Sequence, residues 1–168
     1  YAKQEKNVSQ MMKAHLTRAS LCIDITPDSL DSELSALKAW MEEEKDTVYQ
    51  AILNNLLGYY ILDTGKKDET AIDTAIAYFQ RSLQEMLFRK SAVDYRPMTN
   101  SKELSEKYCG DNMYQLLARQ AISRLSGYFI ANPVSAEKIQ NEILSIYDGL
   151  IDFYRQQGMT DARLLLML

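Results

Sequence analysis

His15 is the only histidine in the sequence, and Cys22 follows it by seven residues. On a helix seven residues make two turns, so both side chains share a face with Met11 and Ala19. An imidazole and a thiolate on one face could ligate a metal, or act as base and nucleophile. A tetrahedral metal site wants four ligands, and two more are missing at helical spacing. A Cys–His nucleophile pair needs a thiol whose pKa is lowered by its surroundings. Nothing flanking Cys22 or the second cysteine, Cys109, supplies that in an obvious way. The pattern therefore favours a packed histidine and small, apolar-like buried cysteines. Whether the two cysteines pair or stay free is left open by the sequence.

A second stretch, Cys109-Gly110-Asp111-Asn112, looks like a degraded Cys-Gly-Glu-Gln thioester motif. There a thiol and a glutamine amide three residues on close a strained ring. Asn112 is one methylene short, which puts its carbonyl carbon out of reach. The same residues make a good helix start, with glycine for the turn and Asp or Asn for the cap. Carboxylates are plentiful, as in Glu42-Glu43-Glu44 and Asp24, Asp28 and Asp31, and read as solvated faces and caps. DTGKKDE lacks the spacing of a calcium loop. There is no phosphate loop and no dinucleotide fingerprint. Asn7-Val8-Ser9 is formally a glycosylation acceptor inside a predicted helix. We expect no enzyme, no cofactor and no metal site.

The elements that would carry these residues are helical. Six Gly and three Pro in 168 residues leave too little turn punctuation for an all-β fold. A chain of this length makes one domain with a sizeable core, or a short run of repeats. Net charge is −4 with a pI near 5.1, which argues against a nucleic-acid partner. No apolar run is long enough to span a bilayer, so no direct membrane insertion is expected. The chain begins at Tyr1 with no visible signal peptide, which suggests that a preceding segment was removed.

Apolar residues recur at helical spacing almost throughout. The first helix is expected from about residue 2 to 23, with Val8, Met12, Leu16, Ala19 and Ile23 along one stripe. Thr26-Pro27 suits a helix entrance, since Pro at the first position has no N–H to lose. Helix two carries Leu30, Leu34, Leu37, Trp40 and Met41. Asp46 caps helix three, with Val48, Ile52, Leu56, Tyr59 and Tyr60, and Gly65 closes it. Helix four runs in phase through Ile72, Ala75, Ile76, Phe79, Leu83, Met86 and Leu87. Residues 91–110 lose all periodicity and read as an irregular internal loop, with room for a short helix near 101–107. Helix five holds Leu117, Ala121, Leu125 and Tyr128. Ser135 caps helix six, with Ile139, Ile143, Ile146, Tyr147, Leu150 and Tyr154, and Gly158 closes it. Thr160 begins a seventh.

The fold expected is all-α: six to seven antiparallel helices in one domain, as a tetratricopeptide-like right-handed solenoid or a bundle. LLGYYILDTG followed by AIDTAIAYFQRSL resembles that repeat, with Gly58 and Ala75 as the small crossing residues, although no clean 34-residue period runs through the chain. The last residues, RLLLML, read as a helix whose covering neighbour is missing. Leu164, Leu165, Met167 and Leu168 are thus the expected partner contacts. They would meet the rest of a longer chain, a protein partner or a second copy.

As a whole the chain resembles the helical N-terminal region of bacterial alpha-2-macroglobulin-like proteins. NVSQMMKAHLTRASL, TPDSLDSELSALKAWMEEEKDTVYQAILNNLLGYYI, DYRPM, EKYCGDNMYQLLARQAI and IYDGLIDFYRQQGMTDARLLLML carry the resemblance, in order, over nearly all 168 residues. It implies a large periplasmic or cell-envelope parent that traps peptidases, with β-sandwiches and thioester chemistry further along. This region would then be a non-enzymatic spacer or docking module, and no functional residue carries over to it. The alternative is a stand-alone tetratricopeptide-like module that binds a protein or ligand in a Tyr-lined groove at the periplasmic or outer-membrane side.

Overall fold

The computed structural model of the chain describes residues 8–25, 29–64, 68–95, 112–131 and 135–160. They form six α-helices and no named strand: α1 (Val8–Ile25), α2 (Leu30–Glu43), α3 (Thr47–Thr64), α4 (Glu69–Ser82), α5 (Met113–Ala131) and α6 (Ala136–Gln156). The all-α expectation holds for these residues. Leu164, Leu165, Met167 and Leu168 lie outside them, as do Pro27, Gly65, Cys109 and the rest of the expected loop beyond Tyr95.

Short polar joints start and stop the helices. Asp46 caps α3 as expected, its Oδ1 accepting from the backbone N–H of Val48 at 2.8 Å and of Tyr49 at 3.3 Å. Asp68 caps α4 through the Ala71 N–H. Ser135 stands at the start of α6 but makes no side-chain cap bond, so that expectation fails at the level of the bond. Gly158 ends α6 at φ +68°. Its N–H donates to the Arg155 carbonyl, and the Met159 N–H donates to the Tyr154 carbonyl, which together close a Schellman turn.

The fourth helix is shorter than its apolar period suggests. Ser82 turns its hydroxyl onto the Phe79 carbonyl, and Leu83 leaves helical geometry at φ −97°, ψ 69°. Glu85–Arg89 continue as a 3-10 turn. Leu87 is buried there and Met86 is exposed, so the apolar spacing outlives the helix that would have used it.

Within three successive hairpins the helices pair antiparallel. Arg18 meets Glu33 and His15 meets Trp40, which sets α1 against α2. Asn55 meets Ser82 and Gly58 lies against Phe79, which sets α3 against α4. Tyr114 meets Phe153, which sets α5 against α6. Across the hairpins the direction is the opposite. Asn55 reaches Leu117 and Tyr59 reaches Arg124, so α3 and α5 run the same way. Glu69 and Asp73 reach Lys138 while Gln80 reaches Glu142, so α4 and α6 do too.

α3 lies at the centre, packed by α2, α4 and α5, and is apolar nearly all round. Ala51, Leu53 and Leu57 are fully buried on it, facing Ile72, Ala75 and Phe79 of α4 and Leu117, Ala118 and Ala121 of α5 within one continuous core. A Cβ built on Gly58 would lie 3.1 Å from the Ala75 carbonyl and 3.0 Å from the Phe79 ring. The two small residues picked out by their spacing do meet at the crossing of α3 and α4.

Candidate functional site

Three places gather polar side chains. The first is the α1–α2 hairpin. His15 is half-buried and stacks on Trp40 with ring centroids 5.1 Å apart and planes inclined at 31°. Its Nδ1 is sealed from solvent without a hydrogen-bond partner. On the facing helix Glu33 is buried; Arg18 takes its Oε1, and its Oε2 is likewise sealed and unpaired. Burial lowers the His15 pKa below 6.5; Glu33 acts against that and Arg18 adds to it. Cys22 is buried, free and close enough to act on Tyr60 of α3. Burial, ahead of Tyr59, Asp63 and Cys22, pushes the Tyr60 phenol up to about 12. His15 is thus a packed histidine. Among the described residues, no group of three or more His, Cys, Asp or Glu could hold a metal.

The second is the stretch that imitated a thioester. Asn112 is a structural clamp. Its Oδ1 accepts from the N–H groups of Tyr114 at 2.8 Å and Gln115 at 3.4 Å, which starts α5. Its Nδ2 donates to the carbonyls of Phe88 at 2.7 Å and Leu87 at 3.3 Å, in the 3-10 turn after α4. Both ends of the amide are engaged, so it is committed to holding two elements together. Phe88 then stacks edge-on against Tyr114 and Phe153, at 4.6 Å and 5.1 Å. The capping reading of Asn112 is the one the geometry bears out; Cys109 itself lies outside the described residues.

The third is an open groove of about 700 Å³ between α4 and α6. Glu69, Asp73, Gln80, Glu137, Lys138 and Glu142 line it. Lys138 bridges Asp73 at 2.6 Å and Glu69 at 3.3 Å, and the bond to Asp73 above all raises its pKa. These pairs are exposed, so they fix side-chain positions more than they stabilise the fold. Glu142 is buried deeper, and its Oε2 accepts from Gln80 Nε2 at 2.8 Å. Burial raises its pKa, and the Gln80 bond only partly opposes that.

Sequence reasoning did not find this groove. One trace of it was present: Glu142 stands in the apolar phase of α6, three residues after Ile139 and four before Ile146. A carboxylate at such a position must either be paired or face a cleft.

No protein-family model, no curated protein and no solved structure matches this chain. Among the described residues, no helix is long and apolar enough to cross a membrane.

Proposed function

We propose that this chain is a non-catalytic helical module built on tetratricopeptide-like hairpins, and that it spaces or docks the other domains of an alpha-2-macroglobulin-like envelope protein. The observation that carries the reading is the directional pattern of the helices. Each hairpin is antiparallel inside, while α3 with α5 and α4 with α6 run parallel between hairpins, as successive units of a helical repeat do. The hairpins are tied by side-chain amide bonds, buried at Asn55 and half-buried at Asn112, so these polar groups serve stacking. Asn55 spans α3, α4 and α5, and Asn112 joins α5 to the turn after α4. The residue stretches quoted above for the resemblance supply the parent family and its periplasmic or envelope setting.

The test is to read the gene on both sides of these residues and assay the isolated chain. A frame continuing through hundreds of strand-patterned residues is expected, together with no effect of the isolated chain on peptidase activity. A stop just after Leu168 would overturn the reading. It would leave a free-standing binding module, for which the groove between α4 and α6 is the place to look for a ligand.

A further inference from the structure

We propose that His15 is a proton-operated latch on the N-terminal hairpin: neutral, it holds α1 against α2, and on taking up a proton it lets α1 go. The ring lies over the Trp40 indole, and its Nδ1 is closed off from water with no partner. A neutral imidazole tolerates this position, because its apolar face is stacked and only one polar atom goes unmet. An imidazolium adds a full charge to a half-buried ring and turns the closed-off Nδ1 into a donor with nothing to donate to. A charge and a sealed, unmet donor together cost more there than an unmet lone pair.

The groups that act on the ring are Glu33 across the interface on α2 and Arg18 on its own helix. Glu33 favours the proton, but its Oε1 is already taken by Arg18. Arg18 opposes a second positive charge beside it. Burial outweighs both and holds the pKa below the ordinary 6.5. For a histidine lowered in this way, the stabilising contribution is complete above the unfolded value near 6.5 and is lost as the pH falls below it.

The loss stays local. α3, α4, α5 and α6 are joined to one another by Asn55, Asn112 and the Gln80–Glu142 bond, none of which involves α1. Mild acid therefore loosens one hairpin and leaves the other four helices packed.

Trp40 is the only tryptophan in the chain, so its emission reports this interface without a label. The experiment follows Trp40 fluorescence and amide hydrogen exchange on the 168-residue chain from about pH 7.5 to about pH 5. A single fluorescence step with its midpoint below 6.5 is expected. With it, amides of residues 12–22 should lose protection several-fold, after correction for the intrinsic exchange rate, while those of residues 114–125 keep theirs. His15→Gln should abolish both changes.

A fluorescence step with α1 protection unchanged would overturn the proposal, as would no step, or a loss of protection that persists in His15→Gln. If His15→Gln leaves α1 unprotected even at pH 7.5, Glu33→Gln decides the matter. Removing the one group that favours the proton should move the midpoint to lower pH, and a midpoint that stays or rises would overturn the latch.

Discussion

The side-chain amide of Asn55 donates to the main-chain carbonyl of Leu117 at 3.1 Å, a buried bond from the middle of α3 into α5. The same nitrogen lies 3.3 Å from Ser82 Oγ at the end of α4. One side chain thus fixes the register of three helices. Asn55→Ala is expected to lower stability by about 1–3 kcal/mol, since the buried donor is removed while the Leu117 carbonyl and Ser82 hydroxyl it served stay behind. Urea unfolding should show a lower midpoint with an unchanged slope, the mark of lost stability in a structure still folded.

Gly149 faces Tyr114. A Cβ there would run into the Tyr114 hydroxyl oxygen, and the ring is held between Phe88 and Phe153. Gly149→Ala is expected to cost about 1–3 kcal/mol by overpacking. In a Tyr114→Phe background that oxygen is gone, and the same change should turn stabilising, by up to about 1 kcal/mol of helix propensity. A double-mutant cycle by chemical denaturation reads the reversal directly.

Gly58 and Gly127 make a simpler contrast. At Gly58 the nearest obstacles are the Ala75 carbonyl and the packed Phe79 ring, while nothing stands within 4 Å of a Cβ at Gly127. Gly58→Ala should destabilise by about 1–3 kcal/mol. Gly127→Ala should stabilise by about 0.5–1 kcal/mol, as alanine does in an open helix position. Thermal melts of the two variants should shift in opposite directions.

Glu142 makes stability depend on pH. Its folded pKa is raised, chiefly by burial, so the folded state binds the proton more tightly than the unfolded state. That contribution is fully present below the ordinary value of 4.5 and is lost as pH rises through the raised folded value. Glu142→Gln keeps an oxygen for Gln80 and removes the charge. It should raise the urea midpoint at pH 7, and the difference should shrink as the pH is brought down to about 4.

Helix positions were legible because burial in this fold follows the 3.6-residue period. Leu117, Ala121, Leu125 and Tyr128 of α5, read as one stripe, are all buried. α4 shows where the method stops: a 3-10 turn can carry the same apolar spacing, so Leu83, Met86 and Leu87 looked helical. Leu53 and Leu57 were missed as core because the stripe through Val48, Ile52, Leu56 and Tyr59 marks one face, whereas α3 is covered on more than one side. The groove was hidden for another reason. Its charged residues come from helices about 65 positions apart, as in the pair Lys138–Asp73, and only the tertiary fold brings them together.

The clamp at Asn112 has a consequence for what this fold can carry. Ser91 and Asn112 form an antiparallel bridge beside the bond from the Met113 N–H to the Lys90 carbonyl, which fastens together the two sides of residues 92–111. The two ends are thus held close whatever length of chain joins them, with Ala92 buried and Tyr95 edge-on against Tyr49 of α3 at the start of the segment. Each doubling of that length adds only about 0.6 kcal/mol of closure entropy. The stack therefore has a port between its second and third hairpins. Evolution or an engineer can change the length of chain after Tyr95 there, provided buried Ala92 and the Tyr49–Tyr95 contact are kept.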